Sequence, residues 1–250
     1  MKKMTLFLLF ILFNLSLAGN RVISLEINSA IGPATVDYIQ SGIKMANNLK
    51  YNAVILKLDT PGGLLKSTRM INQTITNSQV PVISYVYPTG AHASSAGTFI
   101  LLASHIAAMS PGTHIGAATP INMLSTNNKD TNNSLSSQEK KAINSTVSYI
   151  RSLAKLHNRN EDWAEKAVRE AHSINDNEAL KLNVIDVVAN NVSDLLEKIN
   201  GKTVQTPNGQ INIQTSNVHI DEIDPSWQNE LLKILTDPSM AYLLMMAGIY

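Results

Sequence analysis

The chain is 250 residues long and 44% hydrophobic, with 20 Lys and Arg against 19 Asp and Glu and no cysteine. The absence of cysteine excludes disulfides, thiol nucleophiles and cysteine-ligated metals. A formal net charge of +1 without a basic run excludes the electrostatic footprint of a nucleic-acid-binding protein.

The length fits one large domain or two small ones, and the composition is that of a packed chain, not a disordered one. At the N-terminus, Lys2 and Lys3 precede an apolar stretch from Leu6 to Leu17, and the small residues Ala18 and Gly19 follow. This is the order of a secretory signal, and the run is shorter than the ~20 residues of a membrane-spanning helix. Residues 1–19 are therefore expected to export the folded part across the cytoplasmic membrane, to a membrane-associated or periplasmic location. An uncleaved anchor is the alternative.

Apolar periodicity then alternates between strand and helix. Val22–Ile27 reads as a strand, Pro33–Leu49 as a helix, Ala53–Leu58 as a strand and Leu64–Ile75 as a helix. Val82–Tyr87 follows as a third strand, then a small-residue segment, an apolar helical stretch through Leu102 and a strand at Ile106–Met109. Strands separated by helices imply parallel pairing and an α/β fold, with functional groups beyond the carboxyl ends of the strands. Residues 125–137 (STNNKDTNNSLSS) have almost nothing to bury and read as a loop. Ser136 and Glu139 form a capping-box pattern, and Ile143, Val147, Ile150 and Ala154 recur on one helical face up to His157. A helix at Glu161–Ala171, a strand at Val184–Val188 and a helix at Ser193–Ile199 complete a main domain of residues 20–200. In the next segment, 201–236, Val204–Ile213 carries Pro207-Asn208-Gly209 at its centre, a hairpin signal. Residues 237–250 end in an apolar run too short to span a bilayer, either the start of a membrane helix or a packed terminal one.

Two segments depart from core sequence. Asp59-Thr60-Pro61-Gly62-Gly63 leaves a strand and enters a helix, where successive glycines let backbone N–H groups approach a ligand. Gly90 to Thr98 does the same one strand later, and its serines precede a helix whose N-terminal N–H groups favour an oxyanion. The bland readings are a plain turn and a helix cap. A serine nucleophile needs a base, and the six histidines show no triad spacing. A lysine made neutral by removal from water is the other solution, and Lys140 and Lys141 follow the polar loop. Histidines and carboxylates show no ligand-spaced cluster such as H-E-x-x-H, so neither a metal nor another cofactor is expected.

The segments LDTPGG, VISYVYPTGAHASSAGTFILLASH and AMSPGTHIGAATPI, in that order, resemble the membrane-bound, ClpP-class serine proteases of the NfeD family. The likeness runs from about Val22 to Val188 and on to DPSMAYLL. It implies a crotonase-like, ClpP-like fold with repeated ββα units and a small C-terminal hairpin extension. It also implies a Ser-Lys dyad, with the nucleophile on Ser95 and the lysine on Lys141, aligned backwards from Tyr149-Ile150-Arg151-Ser152-Leu153-Ala154. Oxyanion donors would be the N–H groups of Gly63 and Ala96, with Gly62 and Leu64 against the substrate. The resemblance further implies hydrophobic peptide or protein substrates, stomatin-like membrane partners and a homo-oligomer. Helix phase sets one counter-observation: Ile143, Val147 and Ile150 put Lys140 nearer the apolar face and Lys141 nearly opposite. Two other readings of the same fold stay open, an inactive membrane-associated scaffold for stomatin-like proteins and a crotonase-like acyl-coenzyme A enzyme.

Overall fold

The computed structural model describes residues 20–120, 137–236 and 245–246. The expected signal peptide, the polar loop up to residue 136 and most of the apolar tail lie outside the described residues. A six-stranded, all-parallel sheet forms the frame, in the order β11 (His219–Ile223), β1 (Arg21–Ile27), β2 (Ala53–Leu58), β3 (Val82–Val86), β5 (Ile106–Met109), β8 (Val187–Val188). Its central strands are almost continuously apolar because both faces are covered. On one face, Ile23, Leu25, Leu56 and Leu58 pack with Ile39 and Ile43 of α1 (Pro33–Leu49) and Ile71 and Ile75 of α2 (Leu65–Thr76). On the other, Ile55, Ile83 and Tyr85 pack with Leu195 and Ile199 of α7 (Val192–Ile199).

A third apolar cluster surrounds α3 (Ala96–Ala103), a helix buried along its whole length. Around it lie α4 (Ser137–Leu156) and α5 (Glu161–Arg169), while α6 (Asp176–Lys181) contributes Ala179. Beside α3 sits a sheet of three very short strands, in the order β4 (His92–Ser94), β6 (His114–Gly116), β7 (Ser173–Asn175).

Several expectations need adjustment. The strand expected at Val184–Val188 shortens to Val187–Val188, because Val184 and Ile185 turn into the apolar cluster and the Asp186 carboxylate accepts from Arg159. The hairpin forms from β9 (Thr203–Thr206) and β10 (Gly209–Asn212), with positive φ at Gly209 and not at Asn208. Past it the chain returns to the main sheet, where β11 pairs with β1, and α8 (Trp227–Thr236) packs on α1 through Asn229, whose Nδ2 donates to Asp37 at 2.7 Å.

The far end of α3 holds two histidines, His105 buried and His157 partly buried. Burial pushes both His105 and His157 from 6.5 down to about 4. Their rings meet edge to face with centroids 5.6 Å apart; His105 Nδ1 accepts from the Val82 N–H, and His157 Nε2 donates to the Ala103 carbonyl. Between those pH values the unfolded chain binds protons that the folded chain refuses, so stability falls as pH drops from about 6.5 towards 4. By about pH 5 the loss should be on the order of 2 kcal/mol for each histidine. Urea unfolding at pH 7 and 5 reads this directly, and His157→Gln should flatten the slope; an unchanged slope would place the proton uptake elsewhere.

Candidate active site

The two glycine- and serine-bearing turns meet on one rim of the sheet. From β2 the chain runs through Asp59 and Thr60 into Gly62 and Gly63, where Thr60 Oγ1 accepts from the Gly62 N–H at 3.2 Å. Gly63 then forms a parallel bridge with Ile31: the Ile31 N–H donates to the Gly62 carbonyl at 2.7 Å, and the Leu64 N–H donates to the Ile31 carbonyl at 2.9 Å. In such a bridge the N–H and C=O of Gly63 face away from Ile31. Among the described residues the Gly63 N–H has no partner. Any side chain here would collide with backbone, since a Cβ on Gly63 would lie 2.2 Å from the Ile31 carbonyl oxygen.

Ser95 is the residue before α3 and holds φ 48°, ψ −108°, a strained conformation for a non-glycine residue. The strain is held by its neighbours. The Ser95 N–H donates to the carbonyls of Gly116 and Ala117 at 3.3 and 3.2 Å, and the Thr98 hydroxyl ties Ala93 to Gly116, donating to one carbonyl at 2.9 Å and accepting from the other's N–H at 3.2 Å. Ser95 is half-buried, and its hydroxyl has no protein partner among the described residues. The Ala96 N–H, at the first position of α3, is also unpartnered among the described residues. Gly62 faces this serine directly: a Cβ there would lie 2.7 Å from Ser95 Cβ and 3.2 Å from Ser95 Oγ.

Gly62→Ala is therefore expected to push the serine aside, slowing any reaction at Ser95 by about 100-fold and lowering stability by about 1–3 kcal/mol. Gly90→Ala is the control, because Gly90 also has positive φ but nothing within 4 Å of its Cβ position. If the two variants lose activity equally, the contact with Ser95 is not the cause.

Leu64 and Leu65 are exposed next to Gly63, an apolar surface where an extended chain would leave the glycine. The structure thus brings together Gly62, Gly63, Leu64, Ser95 and Ala96. Lys141 and Lys140 lie in the first turns of α4, and both are exposed. No hydrogen bond joins either lysine to Ser95 in this arrangement. Buried Val147, Ile150 and Ala154 set the apolar face of α4, and its phase turns Lys141 away from that face. The same helix is nevertheless docked onto the helix that Ser95 precedes. Tyr149 stacks on Phe99 with centroids 5.8 Å apart, accepts from Asn72 Nδ2 at 2.9 Å and lies under the Arg69 guanidinium. Sequence reasoning gave no role to Ile31, Thr60, Thr98, Gly116 or Ala117. The motifs containing Thr60, Thr98, Gly116 and Ala117 stood out, but nothing in them said what these hydroxyls and carbonyls hold.

A glycine strand with a free N–H, beside a strained serine at the mouth of a buried helix in an α/β core, defines a ClpP-like fold. Likeness to solved structures agrees: the ClpP protease catalytic domain of Plasmodium falciparum superposes with a TM-score of 0.53 at 16% identity, over 68% of this chain and 85% of that one. The family model of the NfeD1b N-terminal domain matches residues 21–208, and the chain belongs to that family. It is 39% identical over 254 aligned positions to the membrane-bound protease PH1510 of Pyrococcus horikoshii, over 100% of this chain and 56% of that protein. To the membrane protein NfeD1b of Bacillus subtilis it is 36% identical over 97 residues, 39% of this chain and 21% of the other. The chain thus spans little more than half the length of the first relative and about a fifth of the second.

Two solved structures of the 1510-N membrane-bound stomatin-specific protease are also similar. A serine-to-alanine mutant gives a TM-score of 0.76 at 39% identity, covering 84% of this chain and 100% of that one. A lysine-to-alanine mutant in complex with a substrate peptide gives 0.77 at 37% identity, covering 88% and 100%.

Proposed function

We propose that this chain is a membrane-associated serine endopeptidase that uses a Ser95-Lys141 dyad to cleave hydrophobic segments of proteins at the membrane, stomatin-like proteins among them. The observation that carries the reading is the packing of Ser95 against the Gly62-Gly63 turn, with an unbonded hydroxyl next to two unpartnered N–H groups. The relatives named as proteases, and the serine and lysine mutants among their structures, support the same chemistry.

An extended substrate would lie along Gly63, whose free N–H and C=O can pair with it, while Leu64 takes an apolar side chain. The scissile carbonyl oxygen then sits between the N–H groups of Gly63 and Ala96. Neutral Lys141 removes the Ser95 proton as Oγ attacks, and the lysine returns it to the leaving amine. Water then hydrolyses the acyl-enzyme. In this reading the arrival of substrate or of a partner subunit brings Lys141 to the serine. Export through residues 1–19 and assembly into a homo-oligomer belong to the same proposal; among the described residues no helix is long and apolar enough to cross a membrane.

The test is labelling with a fluorophosphonate probe, followed by peptide mapping and by cleavage of a hydrophobic peptide library. One modified residue, Ser95, and cleavage after apolar residues are the expected result. If no probe reacts and nothing is cleaved even with a stomatin-like protein present, a binding scaffold replaces the protease.

A further inference from the structure

We propose that His92 and His114 form a surface site for a divalent transition metal ion of the zinc type. The argument begins with register. Strands β4 and β6 run parallel with His92 opposite His114, Ala93 opposite Ile115 and Ser94 opposite Gly116. Ala93 and Ile115 are fully buried, so the alternation of a strand sends both histidines out on the other face, side by side. Their rings lie 5.5 Å apart at an interplanar angle of 11°. His114 is exposed, and the His92 side chain keeps 35% of its surface.

The second observation is the carboxylate behind one ring. Asp59 Oδ1 lies 3.0 Å from His92 Nδ1 and also accepts the His92 backbone N–H at 3.1 Å. This bond places the ring proton on Nδ1 and leaves Nε2 with a free lone pair, the arrangement that orients and strengthens a ligating histidine. The ring nitrogens of His114 have no hydrogen bond among the described residues. By contrast, His105 is buried, His157 is partly buried, and each spends a ring nitrogen on backbone, so neither is open to a metal in the way His114 is.

Two imidazole nitrogens on one tetrahedral ion stand about 3.3 Å apart, with bonds of about 2.0–2.1 Å. The present centroid spacing of the two rings is 5.5 Å, so binding requires the exposed His114 ring to tilt towards His92. Among the described residues no group of three or more His, Asp or Glu side chains is arranged to hold a metal, so water completes the coordination. Imidazole selects Zn2+, Ni2+ or Cu2+ over Mg2+ and Ca2+. The location gives the site a consequence: β4 runs straight into Ser95, and β6 ends at Gly116, whose carbonyl with that of Ala117 accepts the Ser95 N–H. A bound ion would tie together the two strands that hold the serine, whatever reaction the serine performs.

The test is isothermal titration of the purified chain, free of any polyhistidine tag, with ZnCl2, alongside thermal unfolding. One ion per chain at a dissociation constant of about 10 μM, and an unfolding midpoint raised by roughly 3–8 °C at saturation, are expected. His92→Ala and His114→Ala should each abolish both effects, and Asp59→Asn should weaken binding about tenfold. His114→Gln, which keeps a polar side chain at an exposed position, guards against a folding defect. Absence of binding, binding that survives His114→Ala and His114→Gln, or an equal response to Mg2+ would each overturn the site.

Discussion

Ser95→Ala is expected to lower peptide hydrolysis by about 10⁴-fold or more while leaving the fold intact. The size of the effect follows from the proposed role: without Oγ no acyl-enzyme would form, and what remained would be oxyanion stabilisation without a nucleophile. The intact fold follows from geometry, because the hydroxyl makes no hydrogen bond that is lost and the strained backbone is held by the Ser95 N–H, which alanine keeps. Unfolding free energy should therefore change by less than about 0.5 kcal/mol. If Lys141 is the base of the proposed dyad, Lys141→Ala should match Ser95→Ala in activity, since nucleophile and base act as a unit and their losses do not add. Lys140→Ala should retain activity within about tenfold. Loss with Lys140→Ala alone would move the base one residue along the helix, to the position whose phase lies nearer the apolar face. Steady-state kinetics on one hydrophobic peptide, with the unfolding midpoint of each variant, decides between these outcomes.

How much of this was legible in the sequence depended on where each contact comes from. The helix Pro33–Leu49 and the strand Ala53–Leu58 were readable to the residue, and a strand near Ile106–Met109 was expected, because the helix is long enough to repeat its period and the strands are apolar runs buried on both faces. Strands of three residues, such as His92–Ser94 and His114–Gly116, cannot show a period, so the small sheet left no signal. Strand β11 (HIDEI) is half polar, and its partner β1 lies almost two hundred residues earlier in the chain. Leu64 was expected inside a helix; it is instead the extended cap residue, with φ −72° and ψ 128°. At the site, the glycine pair and the serine were visible because small residues between a strand and a helix are unusual. The carbonyls that hold the serine were not, since Gly116 and Ala117 reach it only through the fold. The lysine is the least legible member: its helix phase, its exposure and the family alignment point in different directions.

Arg159→Met is expected to cost about 3–5 kcal/mol of stability, the largest loss from any single side chain near this site. Arg159 is 4% exposed, and its guanidinium closes the C-terminal end of α3. One nitrogen donates to the carbonyls of Leu101 and Leu102 at 3.3 and 2.9 Å; the other donates to the carbonyl of His105 at 3.4 Å and to Asp186 at 2.6 Å. Last-turn carbonyls of a buried helix have no partner within the helix, and their partial negative charge favours a cation there. Methionine fills the volume but removes the guanidinium donors from the Leu102 and His105 carbonyls, while the Leu101 carbonyl keeps the Ser104 N–H at 3.2 Å; Asp186 loses its counter-ion, although it keeps the Ala107 N–H at 2.7 Å and some solvent. Arg159→Lys should recover only part of the loss, because an ammonium cannot span three carbonyls and a carboxylate in the geometry of a planar fork. Since Ser95 precedes the opposite end of α3, the partly rescued lysine variant should also show a lowered kcat that a merely global loss of stability would not produce well below its melting point. Denaturant unfolding at pH 7 measures the first effect and kinetics at low temperature the second. A cost under about 1 kcal/mol for Arg159→Met would mean that water replaces the guanidinium at the helix end, and the serine's helix would then be held by its apolar packing and by the bonds of Thr98 and His157.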